Sequence, residues 1–252
     1  MGAIRYIIAS TLAVTAIHGD IVMAHSTRQL TDPSDIPNLV RDLRNGDEET
    51  RVDAAYKLGN VRLVTAAGKV PAELIGALRD PSEQVRIHAA SALGELKAKK
   101  AIDPLILATQ DPSEEVRMFA AQSLGQLGPS SRRAVPSLWR LLESQRYTVR
   151  TTAAIALGRI KSGQERAVPV MLRDLDSPNK WARIEASRAL EIIGPKAAPA
   201  IPKLKGLLED PIWNVGQEAC RALRGIRSAE ARDALREYKE DCTVVVSRTD
   251  SE

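Results

Sequence analysis

The residues of this chain that could do chemistry are few and scattered. Of three histidines, His18 lies in an apolar N-terminal segment, and neither His25 nor His88 has the cysteine or histidine neighbours of a zinc site. There is no Gly-x-Ser-x-Gly elbow, and Gly68-Lys69 lacks the upstream glycine and the hydroxyl residue of a phosphate-binding loop. Carboxylates are plentiful, but they stand where helices are expected to begin. We therefore predict no catalytic residue, metal or cofactor, and no enzyme activity.

A repeat organises the chain instead. Leu-Gly pairs recur at spacings of 35, 31 and 33 residues, and the same frame continues through Leu190 and Leu223. A period of this length predicts stacked units, none of which buries its apolar face alone. The pairs are Leu58-Gly59, Leu93-Gly94, Leu124-Gly125 and Leu157-Gly158.

Each unit reads as two helices, A and then B, with six units over 36–227. In Asp80-Pro81-Ser82-Glu83 we read an N-cap acid, a proline at the first helical position and a capping-box glutamate. The glycine after each leucine is expected near the helix end, where the chain reverses. Prolines open most A helices: Pro71, Pro104, Pro136, Pro169 and Pro202.

The pattern Asp-Pro-x-x-x-Val-Arg-x-x-Ala-Ala-x-Ala-Leu-Gly-x-Leu at 80–96 resembles the HEAT superfamily. The resemblance is to its short, alanine-rich units, called PBS-lyase HEAT-like repeats, and it covers about three quarters of the chain. It implies an all-α fold, an α-solenoid of about six helical hairpins with a C-terminal capping helix near 229–240. Such a scaffold hosts many unrelated functions.

The resemblance also implies roles for particular residues. Arginines just inside the B helices would pair with aspartates of neighbouring units in a structural ladder, which we favour over anion binding: Arg51, Arg86, Arg117, Arg150 and Arg183. HEAT-like deoxyhypusine hydroxylases bind iron through His-Glu pairs, and none exists here, since His88 precedes Ala89. For phycobilin lyases only the scaffold residues match. An enzyme or accessory of either type is the alternative function.

The N-terminus predicts export. Arg5 precedes an apolar run from 6 to 17, and Val22-Met23-Ala24 offers a small-residue cleavage site. We predict a signal peptide over 1–24, a linker over 25–35, the solenoid over 36–241 and a flexible tail over 242–252. The alternative is an uncleaved anchor, for which the run is short. The mature protein would be periplasmic or secreted, with no membrane span.

The two cysteines leave two alternatives open. Cys220 takes the place of Ala90 and Ala121 on a B helix, so we expect a packed thiol. A disulfide to Cys242, 22 residues on, is the alternative in an oxidising compartment.

Charge separates along each unit, although the net charge is only +4. Acids such as Asp80, Asp111 and Asp210 cluster at A-to-B turns, and bases such as Lys97, Lys161 and Arg227 cluster at B-helix ends. Stacking would give an acidic and a basic edge. This placement complements the helix dipoles, which we favour over a basic ridge for an anionic partner.

A helical wheel of the second unit places positions 87, 88, 91 and 95 opposite the buried arc of Val85, Ala89 and Leu93. In HEAT-type stacks the second helices line the concave surface. Aromatic residues Tyr147, Trp181 and Trp213 mark the B-helix N-termini, and Trp139 is expected in the core. We predict that the partner-binding residues are Tyr56, Ile87, His88, Met118, Phe119, Gln122, Ile155, Arg159 and Arg188.

These observations favour a non-catalytic, exported scaffold that binds a protein or peptide across this face. A nucleic acid partner is not expected, because it would need the basic edge and a cytoplasmic location. The sequence does not indicate an oligomeric state.

Overall fold

The computed structural model describes residues 32–60 and 70–238 of the 252-residue chain. Those two ranges contain α-helices, short 3-10 helices and no strand, which confirms the all-α solenoid. The first helix of each unit is short, and most carry a proline within their first three residues. These A helices are α1 (Ile36–Asn45), α3 (Val70–Ala77), α5 (Ile102–Ala108), α7 (Val135–Leu141), α9 (Ala167–Asp174) and α11 (Ile201–Leu207).

The second helix of each unit is longer and contacts the B helix of the next unit. A final helix, α13 (Ala229–Glu237), packs on the last unit and ends the described part of the stack. It confirms the capping helix predicted over 229–240, of which the last two residues lie outside the described ranges. The B helices are α2 (Glu48–Gly59), α4 (Glu83–Glu95), α6 (Glu114–Leu127), α8 (Tyr147–Ile160), α10 (Lys180–Ile193) and α12 (Trp213–Ile226).

The core follows the repeat. The leucine of each Leu-Gly pair is buried, and so is the equivalent leucine in units 5 and 6. Leu93 and Leu190 are examples. The small residues four positions earlier, such as Ala89 and Ala186, are buried too. Small side chains there let helices approach closely, so cohesion comes from aliphatic packing between neighbouring units.

The B-helix N-termini differ from the prediction. Ser82, not Asp80, is the N-cap of α4, and its hydroxyl accepts from the Val85 N–H. Asp80 instead accepts from the Ser82 N–H at 2.8 Å and from a guanidinium of the preceding unit. Glu83 does not close a capping box, because its carboxylate reaches forward to the hydroxyl of Ser113 in the next unit. The predicted local cap is therefore partly an inter-unit contact.

The glycine after each leucine is also explained differently. Gly94 and Gly125 lie within the last three residues of their helices, near the helix end as predicted, but the chain does not reverse at them. A Cβ on Gly94 would stand 2.7 Å from Cβ of Ser123, and one on Gly125 would stand 2.9 Å from Cα of Ala156. Neighbouring B helices approach so closely that no side chain fits between them. Reversal falls on later residues with positive φ: Lys97, Gly128, Lys161, Gly194 and Arg227.

The arginine ladder is confirmed at four of its five positions. Arg86 Nε lies 2.9 Å from Oδ2 of Asp111, and Arg150 Nη2 lies 2.7 Å from Oδ1 of Asp174. Arg51 binds Asp80 and Arg183 binds Asp210 in the same way. Each arginine also donates to carbonyl groups at the start of its own B helix, so it ties the A-to-B turn of its unit to the next unit.

The ladder is interrupted at Arg117. The position equivalent to Asp111 in the next unit holds Ser144, which has no carboxylate to offer. Arg117 keeps its carbonyl contacts, with Nη1 2.8 Å from the Asp111 oxygen, and forms an ion pair at 3.5 Å with Glu114 of its own helix.

Cys220 is 1% exposed and disulfide-bonded, so the expectation of a free packed thiol is wrong. Cys242, the only other cysteine in the sequence, lies outside the described residues. The predicted signal peptide, the tail over 242–252 and residues 61–69 lie outside them as well. None of the helices that the structure describes is both long and apolar enough to cross a bilayer.

Candidate partner-binding face

One side of every B helix is left uncovered by packing. The A helix covers one side, and the B helices of the two neighbouring units cover the flanks. We define the B-helix face by the three positions per unit that remain. It comprises Asp53, Tyr56 and Asn60; His88, Ser91 and Glu95; Phe119, Gln122 and Gln126; Thr152, Ile155 and Arg159; Glu185, Arg188 and Ile192; and Glu218, Arg221 and Gly225. All of these are exposed or only partly buried, except Asn60 and Glu218, which are buried.

At its N-terminal end the face carries an aromatic contact. Tyr56 and His88, from consecutive units, meet edge to face with ring centroids 5.7 Å apart. Burial lowers the pKa of His88, since the charged imidazolium is less well solvated there. The two predicted residues are thus brought together as a single polar-aromatic feature.

The middle of the face is apolar. Phe119 and Ile155 are half-buried and pack on the core, as does Met118 beside them. Gln122, also half-buried, belongs to the same part of the face. Because these side chains are only partly covered, they offer apolar area to a partner while resting on a rigid base.

Ile87 does not belong to this face. The wheel placed it opposite the buried arc, but the side chain is only 7% exposed. A wheel shows one covered side, whereas each internal B helix is also covered by the units before and after it. The equivalent residues Thr151 and Ile184 are buried for the same reason.

At its C-terminal end the face is charged. Arg188 Nη1 lies 2.7 Å from Glu185 Oε1, and its Nη2 lies 3.3 Å from Oε1 of Glu218 in the next unit. Arg221 Nη1 approaches the same Glu218 oxygen at 2.9 Å. Of these charged residues, only Arg188 was predicted from the sequence. The signal for the glutamates was an acid at the same position of two consecutive units, three residues before an arginine in each.

The two edges of the stack differ in how their charges are used. At the A-to-B turns, four ladder aspartates are neutralised by arginines, so the predicted acidic edge is largely internal pairing. The basic side chains at the B-helix ends are exposed, among them Lys97, Lys161 and Arg227. Arg159, a predicted partner-binding residue, is exposed near this edge, and its Cδ lies close to Gly125.

The large apolar side chains most exposed in the described ranges lie in the A-to-B turns or in the helix ends beside them. They are Leu107, Trp181, Ile212 and Trp213, which confirms exposed tryptophans at two B-helix N-termini. Trp139 is half-buried and packs against the core, as predicted. Its Nε1 donates to the Gly163 oxygen at 3.0 Å, and Cζ of Arg166 lies 4.0 Å from the ring centroid.

Within 32–60 and 70–238, no group of three or more histidine, cysteine, aspartate or glutamate side chains is arranged to hold a metal ion. The absence of cofactor and catalytic residues stays a prediction. What the geometry offers is a rigid face with aromatic, apolar and charged zones in sequence, which suits recognition of an extended partner.

These features define a helical-repeat solenoid, and comparison with known proteins identifies the family. The sequence matches the HEAT repeat family over residues 70–158, 106–191, 137–205 and 168–249. The chain belongs to the HEAT repeat family. A search of curated protein sequences returns no match.

Solved structures share the architecture. The complex of CpcE and CpcF of phycocyanin lyase from Nostoc sp. PCC7120 is 27% identical, with a TM-score of 0.59 over 88% of this chain and 86% of that chain. An engineered protein is 26% identical, with a TM-score of 0.56 over 76% of this chain and 96% of that one. A designed armadillo repeat protein in complex with the peptide (KR)4 is 20% identical, with a TM-score of 0.55, and covers 76% of this chain and 99% of its own. That last likeness concerns the fold alone.

Proposed function

We propose that this protein is an exported, non-catalytic HEAT-repeat scaffold that binds a protein or peptide on its B-helix face. The observation that supports this most is the partly exposed apolar group at the middle of that face, formed by Phe119 and Ile155 with Met118 beside them. A stable fold does not need these side chains uncovered, and polar zones flank them on both sides. Aromatic and apolar residues ringed by polar ones are typical of the energetic centre of an interface.

The rigidity of the face supports the same proposal. Each B helix is fixed by core packing and most are tied together by the arginine ladder, so little ordering is required when a partner binds. A preformed surface loses less conformational entropy on association than a flexible one. HEAT-type stacks present their second helices on the concave side, where an extended segment can touch several units at once.

Export is supported by two features. The N-terminal apolar run with its small-residue cleavage site has the form of a signal peptide, and the Cys220 disulfide suits an oxidising compartment. We expect exported protein to begin at His25. Recovery of the full-length chain from the cytoplasm alone, by mass spectrometry, would contradict export without affecting the binding proposal.

The binding proposal is tested by replacing the centre of the face. Tyr56, Phe119 and Ile155 changed together to Ala should abolish capture of the native partner from the exported fraction, while helical circular dichroism stays unchanged. Leu107→Ala is the matched control, because Leu107 is 59% exposed but lies at an A-to-B turn. Equal capture by the triple variant and the wild type would refute the assignment of this face.

The similarity to the CpcE–CpcF structure favours a second candidate, an accessory related to phycobilin lyases. No chromophore site could be matched in the sequence, so the scaffold alone supports it. Incubation with a bilin, followed by gel filtration and visible absorbance, decides between the two. Co-elution of bilin with this protein would favour the accessory function over the scaffold.

A further inference from the structure

The charged end of the B-helix face holds more acid than base. Glu185, Glu191 and Glu218 come together there with two arginines, Arg188 and Arg221. The Glu218 side chain accepts both guanidinium groups on one oxygen, Oε1. Three carboxylates against two guanidinium groups leave this cluster one cation short of neutrality.

One oxygen atom of Glu218 lacks a hydrogen-bond donor within the ranges that the structure describes. The residue is 7% exposed, and its Oε2 is buried with no hydrogen-bond partner among the described residues. A buried carboxylate oxygen without a donor costs free energy, so native structures usually provide one. The cluster therefore has an acceptor for a donor that the described part of the chain does not supply.

The neighbouring carboxylates respond to the same environment. Desolvation raises the pKa of Glu185 and of Glu191, and in each case the charge of Glu218 raises it further. Arg188 lowers both values but does not offset the increase. Glu191 is held close to the last unit, because a Cβ on Gly225 would stand only 2.9 Å from the Glu191 Cγ.

Aromatic rings border the cluster. Trp181, 45% exposed, precedes Glu185 by four residues on α10, so their Cβ atoms lie about 6 Å apart on one helix face. Tyr147, from the preceding unit, is near enough to Glu185 that this charge contributes to raising its pKa. Lys180 Nζ already lies 5.4 Å from the Trp181 ring centroid. A ring beside a carboxylate binds arginine or lysine, since the aliphatic stem packs on the ring and the cation meets the acid.

We infer that Tyr147, Trp181, Glu185 and Glu218 form a site for an arginine or lysine side chain of the partner. This inference rests on the proposed function of the B-helix face and specifies the partner's chemistry. The partner segment presents an apolar residue to Phe119 and Ile155 and a basic residue to the acidic end. Ile155 and Glu185 lie on the B helices of consecutive units, and packed helix axes are about 10 Å apart. In an extended segment that distance corresponds to about three residues.

The test uses two fluorescein-labelled twelve-residue peptides. One carries leucine and arginine three residues apart, and the other has glutamine in place of arginine. Fluorescence anisotropy with the full mature protein should show the arginine peptide binding at least about tenfold more tightly, which corresponds to about 1.4 kcal/mol. Glu185→Gln should remove that preference, and Trp181→Ala should reduce it. Glu49→Gln is the control, because it removes the same charge from an exposed position of the first unit.

The outcomes separate this inference from the function on which it rests. An unchanged preference in Glu185→Gln, or equal affinity for the two peptides, overturns the basic-residue site. If the glutamine peptide binds equally well and Phe119→Ala with Ile155→Ala abolishes both, the face still binds peptides but not through a cation. If neither peptide binds, and the variant with Tyr56, Phe119 and Ile155 changed to Ala still captures the native partner, both proposals are wrong.

Discussion

The arginine ladder gives a prediction with a built-in control. Arg150 and Arg117 occupy the same position of consecutive B helices and make the same two backbone contacts. Arg150 Nη1 donates to the Ser144 and Gln145 oxygens at 2.8 and 2.7 Å, and Arg117 Nη1 donates to the Asp111 and Pro112 oxygens at 2.8 and 3.0 Å. Only Arg150 has an aspartate of the next unit. A change to Ala at each position therefore differs mainly by one ion pair.

The size of the difference follows from burial. The side chains of Arg150 and Asp174 are 13% and 4% exposed, and two nitrogen–oxygen contacts of 3.0 and 2.7 Å join them. Removing one partner of a buried pair costs about 3–5 kcal/mol, because the other charge stays buried and unpaired. Arg117→Ala removes the backbone contacts and only a longer, partly exposed ion pair with Glu114, and costs about 1–2 kcal/mol. We expect Arg150→Ala to lower the free energy of unfolding by about 3 kcal/mol more than Arg117→Ala does.

Urea unfolding followed by circular dichroism measures both losses, and hydrogen exchange shows whether they are local to units 4 and 5, as a stacked array allows. A double-mutant cycle with Asp174→Ala isolates the pair, with an expected coupling above about 2 kcal/mol. Equal destabilisation by the two arginine changes would show that the ladder adds nothing beyond the backbone contacts.

Three further predictions concern stability. Ser144→Asp should restore the missing ladder partner of Arg117 and raise the free energy of unfolding by about 1 kcal/mol; no gain in urea unfolding would show that Ser144 is not equivalent to Asp111. Gly125→Ala should destabilise the protein, since its Cβ would meet Ala156 at 2.9 Å. Gly206→Ala, whose Cβ would have nothing within 4 Å, should stabilise the protein by about 0.5–1 kcal/mol. Thermal melts that rank the two variants alike would contradict the close approach of the B helices. Cys220→Ala should cost about 3 kcal/mol by loss of a loop-closing bond, and the wild type in reductant should show the same loss; stability that is unaffected by reductant would refute a contribution from the disulfide.

The fold was predictable because the same residue types recur at equivalent positions of successive units. Leucine and alanine recur at the places that every unit buries, and one helical wheel suffices to find them. The contacts between units were less accessible. Glu83 and Gly94 have good local explanations, as a capping box and a helix end, yet the structure uses both across the interface to the next unit. Sequence within one unit does not show which neighbouring residue each position meets.

The same limit explains the outcome for the candidate face. Eight of the nine predicted residues lie at exposed or half-buried positions, and Ile87 fails because flanking helices cover it. Glu218, the partner of Arg188 in the next unit, was missed because the contact runs from one position of unit 5 to a different position of unit 6. Tyr56 and His88 meet through the same offset. Once that offset is known, the pairs across the face can be read from the repeat alignment.

Packing also limits where recognition can occur. Since each internal B helix is covered on three sides, a partner can contact only three positions per unit and the exposed turns. A change at a covered position alters the stability of its own unit and of the units that pack on it, whereas a change on the B-helix face mainly alters what the array can bind. The face runs from the Tyr56–His88 aromatic pair through Phe119 and Ile155 to the Glu185–Glu218 cluster. This order gives the surface a direction, so a segment with its basic residue on the wrong side of its apolar residue cannot satisfy both zones at once.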